Sequence, residues 1–311
     1  MTEIKENNQQ SYTDYIDVRQ LVSIALSNFK LLTYVGLVSG FLSVIYALSL
    51  PNIYTSNSVL KINNQAENQA SNINSLSGFA RSLGVNLSQA DDRASYAIET
   101  IKSKDFFENL YSDEQFLIEL VALEEFSSKE DRVIIDRDIF DKGSWIEKGD
   151  TVTGTTKPSL LEAHGKFLSN HFSISRNSET GFIYMSMQHI SPNIAQEWSM
   201  KVIRLLNSYV MKNESGETTK SIDFLQKQLS EMTNPDVKRT ISQVLQQQLQ
   251  LLMISEVTDE YILKIIDSPF LPEVKTEPSR SRICITFTLL SLLLVYIGLV
   301  IKQLNRERRF L

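Results

Sequence analysis

A single cysteine, Cys284, stands in the 311 residues, so no disulfide can form within the chain and its stability has to come from packing. Histidine is almost as scarce. His164, His171 and His189 are the whole supply, and none has a cysteine or carboxylate at metal-ligand spacing. His171 and His189 fall on paired candidate strands where they could face each other, which is too few ligands for a metal centre. A surplus of positive charge is missing as well. With 31 basic and 37 acidic residues the net charge is −6, and residues 51–282 alone hold 24 basic against 32 acidic, which makes the outer region a poor nucleic-acid binder and sets that partner aside. No G-x-x-x-x-G-K-[ST] phosphate loop occurs anywhere. The acidic pairs Asp91-Asp92 and Glu124-Glu125 are read as solvated helix surface, because adjacent acids on a helix point in different directions and cannot flank one glycosidic bond. No catalytic residue, cofactor site or metal site is therefore assigned.

Two uncharged apolar runs stand out instead, Leu31 to Leu50 and Ile283 to Ile301. At 1.5 Å per residue each is long enough to cross a hydrocarbon core of about 30 Å. A cleaved secretory signal would have a basic start at the extreme N-terminus and a small-residue cleavage site. The first run instead ends in Leu50-Pro51-Asn52 with no such pattern. Lys302, Arg306, Arg308 and Arg309 follow the second run, and the positive-inside rule assigns them to the cytoplasm. Two spans return the chain to its starting side. The expected order is a cytoplasmic tail over 1–30, a span over 31–50, an outer domain over 51–282, a span over 283–301 and a cytoplasmic tail over 302–311.

Gly36 and Gly40 form a G-x-x-x-G pattern in the first run, continued by Ser43 and Ala47 on nearly the same helical face. Small residues let helices approach closely where lipid offers no hydrophobic drive to association. That face is expected to pack on the second span near Gly298 or on a neighbouring subunit; the plain alternative is that glycine is simply common in spans. Pro269, Pro272 and Pro278 precede the second run. They either stiffen the descent to the membrane by fixing φ or do no more than end a helix.

The outer region reads as one α+β domain with a helical extension. Tyr54 to Ile62 reads as a strand, residues 63–78 as an Asn/Gln/Ser-rich loop, and Asp91 to about Leu123 as two or three short helices. Lys157-Pro158-Ser159-Leu160 opens a helix to about Leu168, followed by the strand HFSIS, a turn and the strand GFIYMSMQH. In that last strand Ile183, Met185 and Met187 alternate with Tyr184, Ser186 and Gln188. Ser191-Pro192 suits an N-cap and first position, with Ala195, Trp198, Val202, Leu205, Leu206 and Tyr209 at helical spacing. Long helices are expected over about 218–266. Asn234-Pro235 is either the cap of a new helix, favoured by Asp236 in its first turn, or a kink in a continuous one. Gln243, Gln246, Gln247, Gln248 and Gln250 line a polar face opposite an apolar stripe, a pattern for helices packed side by side within or between subunits.

Three segments together resemble the Wzz chain length determinant family, the polysaccharide co-polymerases: YTDYIDVRQLVSIALSNFK with the PNIYTSNSVLKI beyond the first span, residues 157–207, and residues 221–282 with Pro272, Pro278 and Arg280 ahead of the last span. One departure is Asp267-Ser268-Pro269, where the family usually reads Asp-Pro. The resemblance implies two transmembrane helices flanking a periplasmic α/β base with a long helical projection, in the inner membrane of a Gram-negative bacterium. It implies a ring-like homo-oligomer that works without catalysis beside a Wzy-type polymerase and a lipid-linked glycan, setting the length of O-antigen in lipopolysaccharide. Co-polymerases for capsule or exopolysaccharide export are the alternative. The ten residues after the second run leave no room for the tyrosine kinase domain that some co-polymerases carry, nor for the signalling module of a two-span sensor.

Overall fold

A computed structural model describes residues 18–63, 90–127, 132–147 and 154–307. The chain divides into two units, one made of both ends of the sequence (through residue 51 and from residue 277) and one of residues 52–276.

In the first unit a short helix α1 (Val18–Ser27) is separated by Asn28 from α2 (Phe29–Ser49). The Asn28 amide Nδ2 donates to the Ile24 carbonyl at 2.9 Å, beside the Asn28 backbone N–H at 3.2 Å. The last helix of the chain, Arg280–Glu307, packs against α2. It continues past the 283–301 run at both ends, because neither Arg280-Ser281-Arg282 nor the basic residues after Ile301 contain a helix breaker. Both helices are long and apolar enough to cross a membrane, and the described residues leave them almost uncovered, unlike the core helix of a soluble protein.

The second unit is built on a four-stranded antiparallel sheet in the order β6 (Phe172–Arg176), β7 (Ile183–His189), β1 (Tyr54–Ile62), β8 (Leu263–Asp267). Strand β1 (Tyr54–Ile62) lies in the middle, with Ser56 opposite Met187, Ser58 opposite Met185 and Leu60 opposite Ile183. Three helices follow: α3 (Ala90–Lys102), α4 (Lys104–Tyr111) and α5 (Glu114–Val121). Their boundaries are set by caps. The Ser103 hydroxyl accepts from the Phe106 N–H, and the Asp113 carboxylate accepts from Gln115 and Phe116. Two small hairpins come next, β2 (Leu123–Ser127) with β3 (Arg132–Ile135) and β4 (Phe140–Asp141) with β5 (Ser144–Trp145). Lys142 and Gly143 both take positive φ between β4 and β5, as a two-residue hairpin turn requires. Glu124-Glu125 thus lies on strand β2, where the expectation was a helix.

Helix α6 (Leu160–Lys166) runs into one π-helical turn, Phe167–His171, before the hairpin β6 (Phe172–Arg176) and β7 (Ile183–His189). Asn177 closes that hairpin by accepting from the N–H groups of Glu179 and Thr180. Helix α7 (Pro192–Glu231) then covers the inner face of the sheet with Trp198, Val202, Leu206 and Val210. The expected N-cap bond of Ser191 is absent. Its backbone N–H donates to His189 Nδ1 at 3.0 Å, and its side chain makes no cap bond.

The long helices differ from expectation at both limits. α7 already begins at Pro192, and its distal part is continuous with the helix on the sheet; along it Ser208, Thr219 and Ser221 return their hydroxyls to carbonyls one turn back. Helix α8 (Pro235–Val257) opens at Asn234, whose side chain accepts from the Asp236 N–H at 2.9 Å, so Asn234-Pro235 is a cap and not a kink. α8 ends at Val257, short of residue 266. The β-branched stretch that follows forms β8 (Leu263–Asp267), the sheet edge beside β1, with α9 (Arg280–Glu307) last in order.

Candidate functional site

The densest side-chain chemistry of the second unit surrounds Trp198. The Phe116 ring lies 4.4 Å from it, and His189 and His171 stand 4.9 and 5.5 Å away. The two histidines do face one another, with ring centroids 5.8 Å apart. Each is committed elsewhere. His189 Nδ1 accepts from the Ser191 N–H, which leaves the proton on Nε2, directed at the Glu119 carbonyl at 3.2 Å. His171 Nδ1 bonds the Gln188 carbonyl at 2.8 Å, and His164 Nε2 bonds the Lys102 carbonyl at 2.9 Å. Burial lowers the affinity of His171 for a proton and pushes the pKa of His189 down to about 4, so both are neutral at pH 7. The Glu119 carboxylate accepts from the Trp198 indole N–H at 2.8 Å. Among the described residues no group of three or more His, Cys, Asp or Glu side chains could hold a metal ion. This cluster organises a core and joins the sheet to α5 and α7.

Sequence reasoning missed two polar features. Asn207, almost fully buried on α7, donates to the Leu263 carbonyl at 3.0 Å and accepts from the N–H groups of Ile262 and Leu263 at 2.9 and 2.8 Å. One amide thereby fixes the start of β8. Nearby, Glu214 accepts from the Tyr261 hydroxyl at 2.6 Å and pairs with Arg93 at 3.4 Å. Burial first, then the Glu214 hydrogen bond, raises the Tyr261 pKa further above its ordinary value. A polar residue within a helix carries no local pattern that marks it for burial, which is why neither partner set was legible. Lys201 pairs with Asp113, and that hydrogen bond holds the Asp113 carboxyl below the ordinary range and reinforces the cap of α5.

The distal part of α7 and α8 form a two-helix hairpin. Of residues 211–257 only Ile222 and Ser255 are buried. Leu225, Leu229, Ile241, Val244, Leu245, Leu249 and Leu252 are half-covered, and Phe224 is 62% exposed. Phe224, Leu225, Val237, Ile241 and Val244 line a groove of about 390 Å³ between the helices. Two helices can cover only one side of each other's stripe.

Between α2 and α9 the small-residue face lies inward. Ser39, Ser43 and Ala47 are buried; a Cβ on Gly36 would meet Leu292 at 3.6 Å and one on Gly40 would meet Thr288 at 3.8 Å. Moving four residues up α2 moves the neighbour four residues back along α9, as antiparallel helices require. Gly298 is not part of this contact, since nothing stands within 4 Å of a Cβ there. Among the prolines, Pro269 and Pro272 are buried and Pro278 is half-buried. Asp91 and Asp92 lie on α3, with side chains outside the described residues; the 63–78 loop falls outside them beyond Asn63, as do residues 1–17 and 308–311 of the tails.

Residues 14–114 match the family model described as Wzz, chain length determinant protein. Among curated proteins no relative matches. Among solved structures, a full-length bacterial polysaccharide co-polymerase is similar at 12% identity, covering 94% of this chain and 99% of its own with a TM-score of 0.40. A fragment of WzzB, a polysaccharide co-polymerase from Salmonella Typhimurium, is similar at 14% identity, covering 73% of this chain and 100% of its own with a TM-score of 0.33. The matched segment holds the first apolar helix and β1, and over it the chain is similar to the Wzz chain length determinant family.

Proposed function

We propose that this chain is a two-pass inner-membrane regulator that sets the length of O-antigen in lipopolysaccharide, acting without catalysis beside a Wzy-type polymerase and its lipid-linked glycan. The observation that carries the reading is the pair of apolar helices bracketing an α/β unit in a chain whose residues 14–114 match the chain length determinant model. Residues 52–276 stand in the periplasm and both termini in the cytoplasm, a sidedness supported by the basic residues after Ile301. Gly36 and Gly40 set the close approach of the two spans within one subunit. The half-covered stripe of the α7–α8 hairpin is closed by the hairpin of the next copy in a homo-oligomer, which buries Phe224.

The test is a silver-stained gel of lipopolysaccharide from a strain lacking the gene, beside the complemented strain. A clustered band distribution lost on deletion and restored by the gene is the expected result. An unchanged ladder overturns the O-antigen assignment and moves the glycan to capsule or another exported polysaccharide.

A further inference from the structure

The strap between β8 and the last helix is anchored by its backbone and leaves its apolar side chains uncovered. The Pro269 carbonyl accepts from Gln196 Nε2 at 3.1 Å, the Phe270 carbonyl accepts from the Ser56 hydroxyl at 2.8 Å, and the Thr276 N–H donates to the Ile53 carbonyl at 2.8 Å. Lys275 Nζ reaches Asn52 at 3.1 Å. Pro269 and Pro272 are buried against the base. Phe270, Leu271 and Val274, by contrast, are 49%, 45% and 78% exposed. Single exposed apolar residues need no explanation, but three within five positions on a segment held this firmly do.

Chain connectivity supplies the partner. Asn52 follows the end of α2 by three residues and Thr276 precedes the start of α9 by four. At no more than about 3.6 Å per residue, Asn52 and Thr276, paired at one end of the segment, each lie within about 15 Å along the chain of the helix that they adjoin. Val274 sits two residues before the tethered Thr276, and Phe270 runs beside Ser56, four residues beyond the tethered Asn52, so the exposed side chains follow directly on the residues joined to the two helices.

We infer that the strap is a lipid contact: Phe270, Leu271 and Val274 dip into the boundary between headgroups and acyl chains of the outer leaflet, with Lys275 at headgroup level. The prolines and the two carbonyl bonds hold the strap flat so that these side chains enter lipid without exposing unbonded backbone to it. The inference rests on the two-span reading above.

The experiment uses the full chain with Cys284→Ser, carrying single cysteines labelled with an environment-sensitive fluorophore and reconstituted in phosphatidylcholine/phosphatidylglycerol vesicles. Labels replace Val274, Phe270, Leu290 in the second span, and the exposed Lys220 on α7. Nitroxide lipids labelled near the headgroup or deep in the acyl chain serve as quenchers. The expected result is a blue-shifted Val274 and Phe270 emission quenched more by the shallow nitroxide, a Leu290 emission quenched more by the deep one, and an unquenched Lys220. A quenched Leu290 with aqueous, unquenched Val274 and Phe270 overturns the lipid contact and leaves the spans standing. Blue-shifted but unquenched strap labels overturn it in favour of a protein cover. No quenching at Leu290 overturns the two-span reading itself, and the strap inference with it.

Discussion

Single residues in this protein act mainly by completing the bonds of buried backbone. His189 does so twice, as acceptor for Ser191 and donor to Glu119, and the first of these bonds needs the neutral ring. Its pKa of about 4 in the folded state lies below the ordinary value of 6.5, so the unfolded chain takes up a proton across that interval while the folded one does not. The stabilisation is complete above pH 6.5 and is lost as the pH falls toward 4, amounting to roughly 3 kcal/mol. His171, shifted in the same direction by burial, adds to the slope. Urea unfolding followed by Trp fluorescence should show the midpoint dropping between pH 7 and 4.5, and His189→Gln should be less stable at pH 7 with a flatter acid limb. An equally steep limb in the variant would assign the titration elsewhere. Asn207 is the second case. Asn207→Leu keeps the volume but strands two N–H groups and a carbonyl at β8, a loss on the order of 3 kcal/mol in the same measurement, against little change for Asn57→Leu on the outer sheet face. Nothing in the pattern around Asn207 signals its burial; His171 and His189 do meet, but His171 does so from the π-helical turn that precedes β6 and not from the strand on which it was expected, so strand alternation places only His189.

At the scale of elements, termini were legible where side chains cap them and hidden where tertiary pairing decides. Asn234-Pro235-Asp236 announced α8 correctly, and Asn234→Ala should cost about 1 kcal/mol, seen as faster hydrogen exchange in the first turn of α8 with the base unaffected. The end of α8 could not be read, because Tyr261 and Ile265 continue a helical spacing while β1 supplies a strand partner that no local pattern reveals. The same limit hides the continuity of α7, whose start at Pro192 was legible: the helix expected from Pro192 and the one expected from about residue 218 are a single helix, carried across the stretch between them by packing at both ends. Span packing is a sharper test of an element. A Cβ at Gly36 sits at ordinary contact distance from Leu292, so Gly36→Ala should leave the α2–α9 pair intact, while Gly36→Leu must push the helices apart. Cysteine crosslinking between α2 and α9 in membranes should be retained in the first variant and lost in the second.

For the whole molecule the two apolar surfaces have separate roles, and that separation can be measured. The α2–α9 contact is satisfied within one chain, whereas the hairpin stripe is left half-open by its own chain, with Phe224 at the mouth of a groove that none of the described residues fills. If the hairpin closes between copies, Phe224→Asp places a charge in the buried seam and should dissociate the detergent-solubilised full chain toward monomers by light scattering. Its far-UV circular dichroism should stay unchanged, because Phe224 touches solvent and not the core of its own subunit. Gly36→Leu should loosen the spans without changing the mass of the assembly. The opposite pattern, an intact oligomer in Phe224→Asp and a dissociated one in Gly36→Leu, would move assembly into the membrane and leave the groove for another occupant. Glycan length then connects assembly with function. On the proposed function and with assembly through the hairpin, the expected outcome is that Phe224→Asp broadens the O-antigen length distribution as is expected of the deletion, while a variant of equal thermal stability altered on the solvated Gln face of α8, such as Gln246→Ala, leaves it clustered.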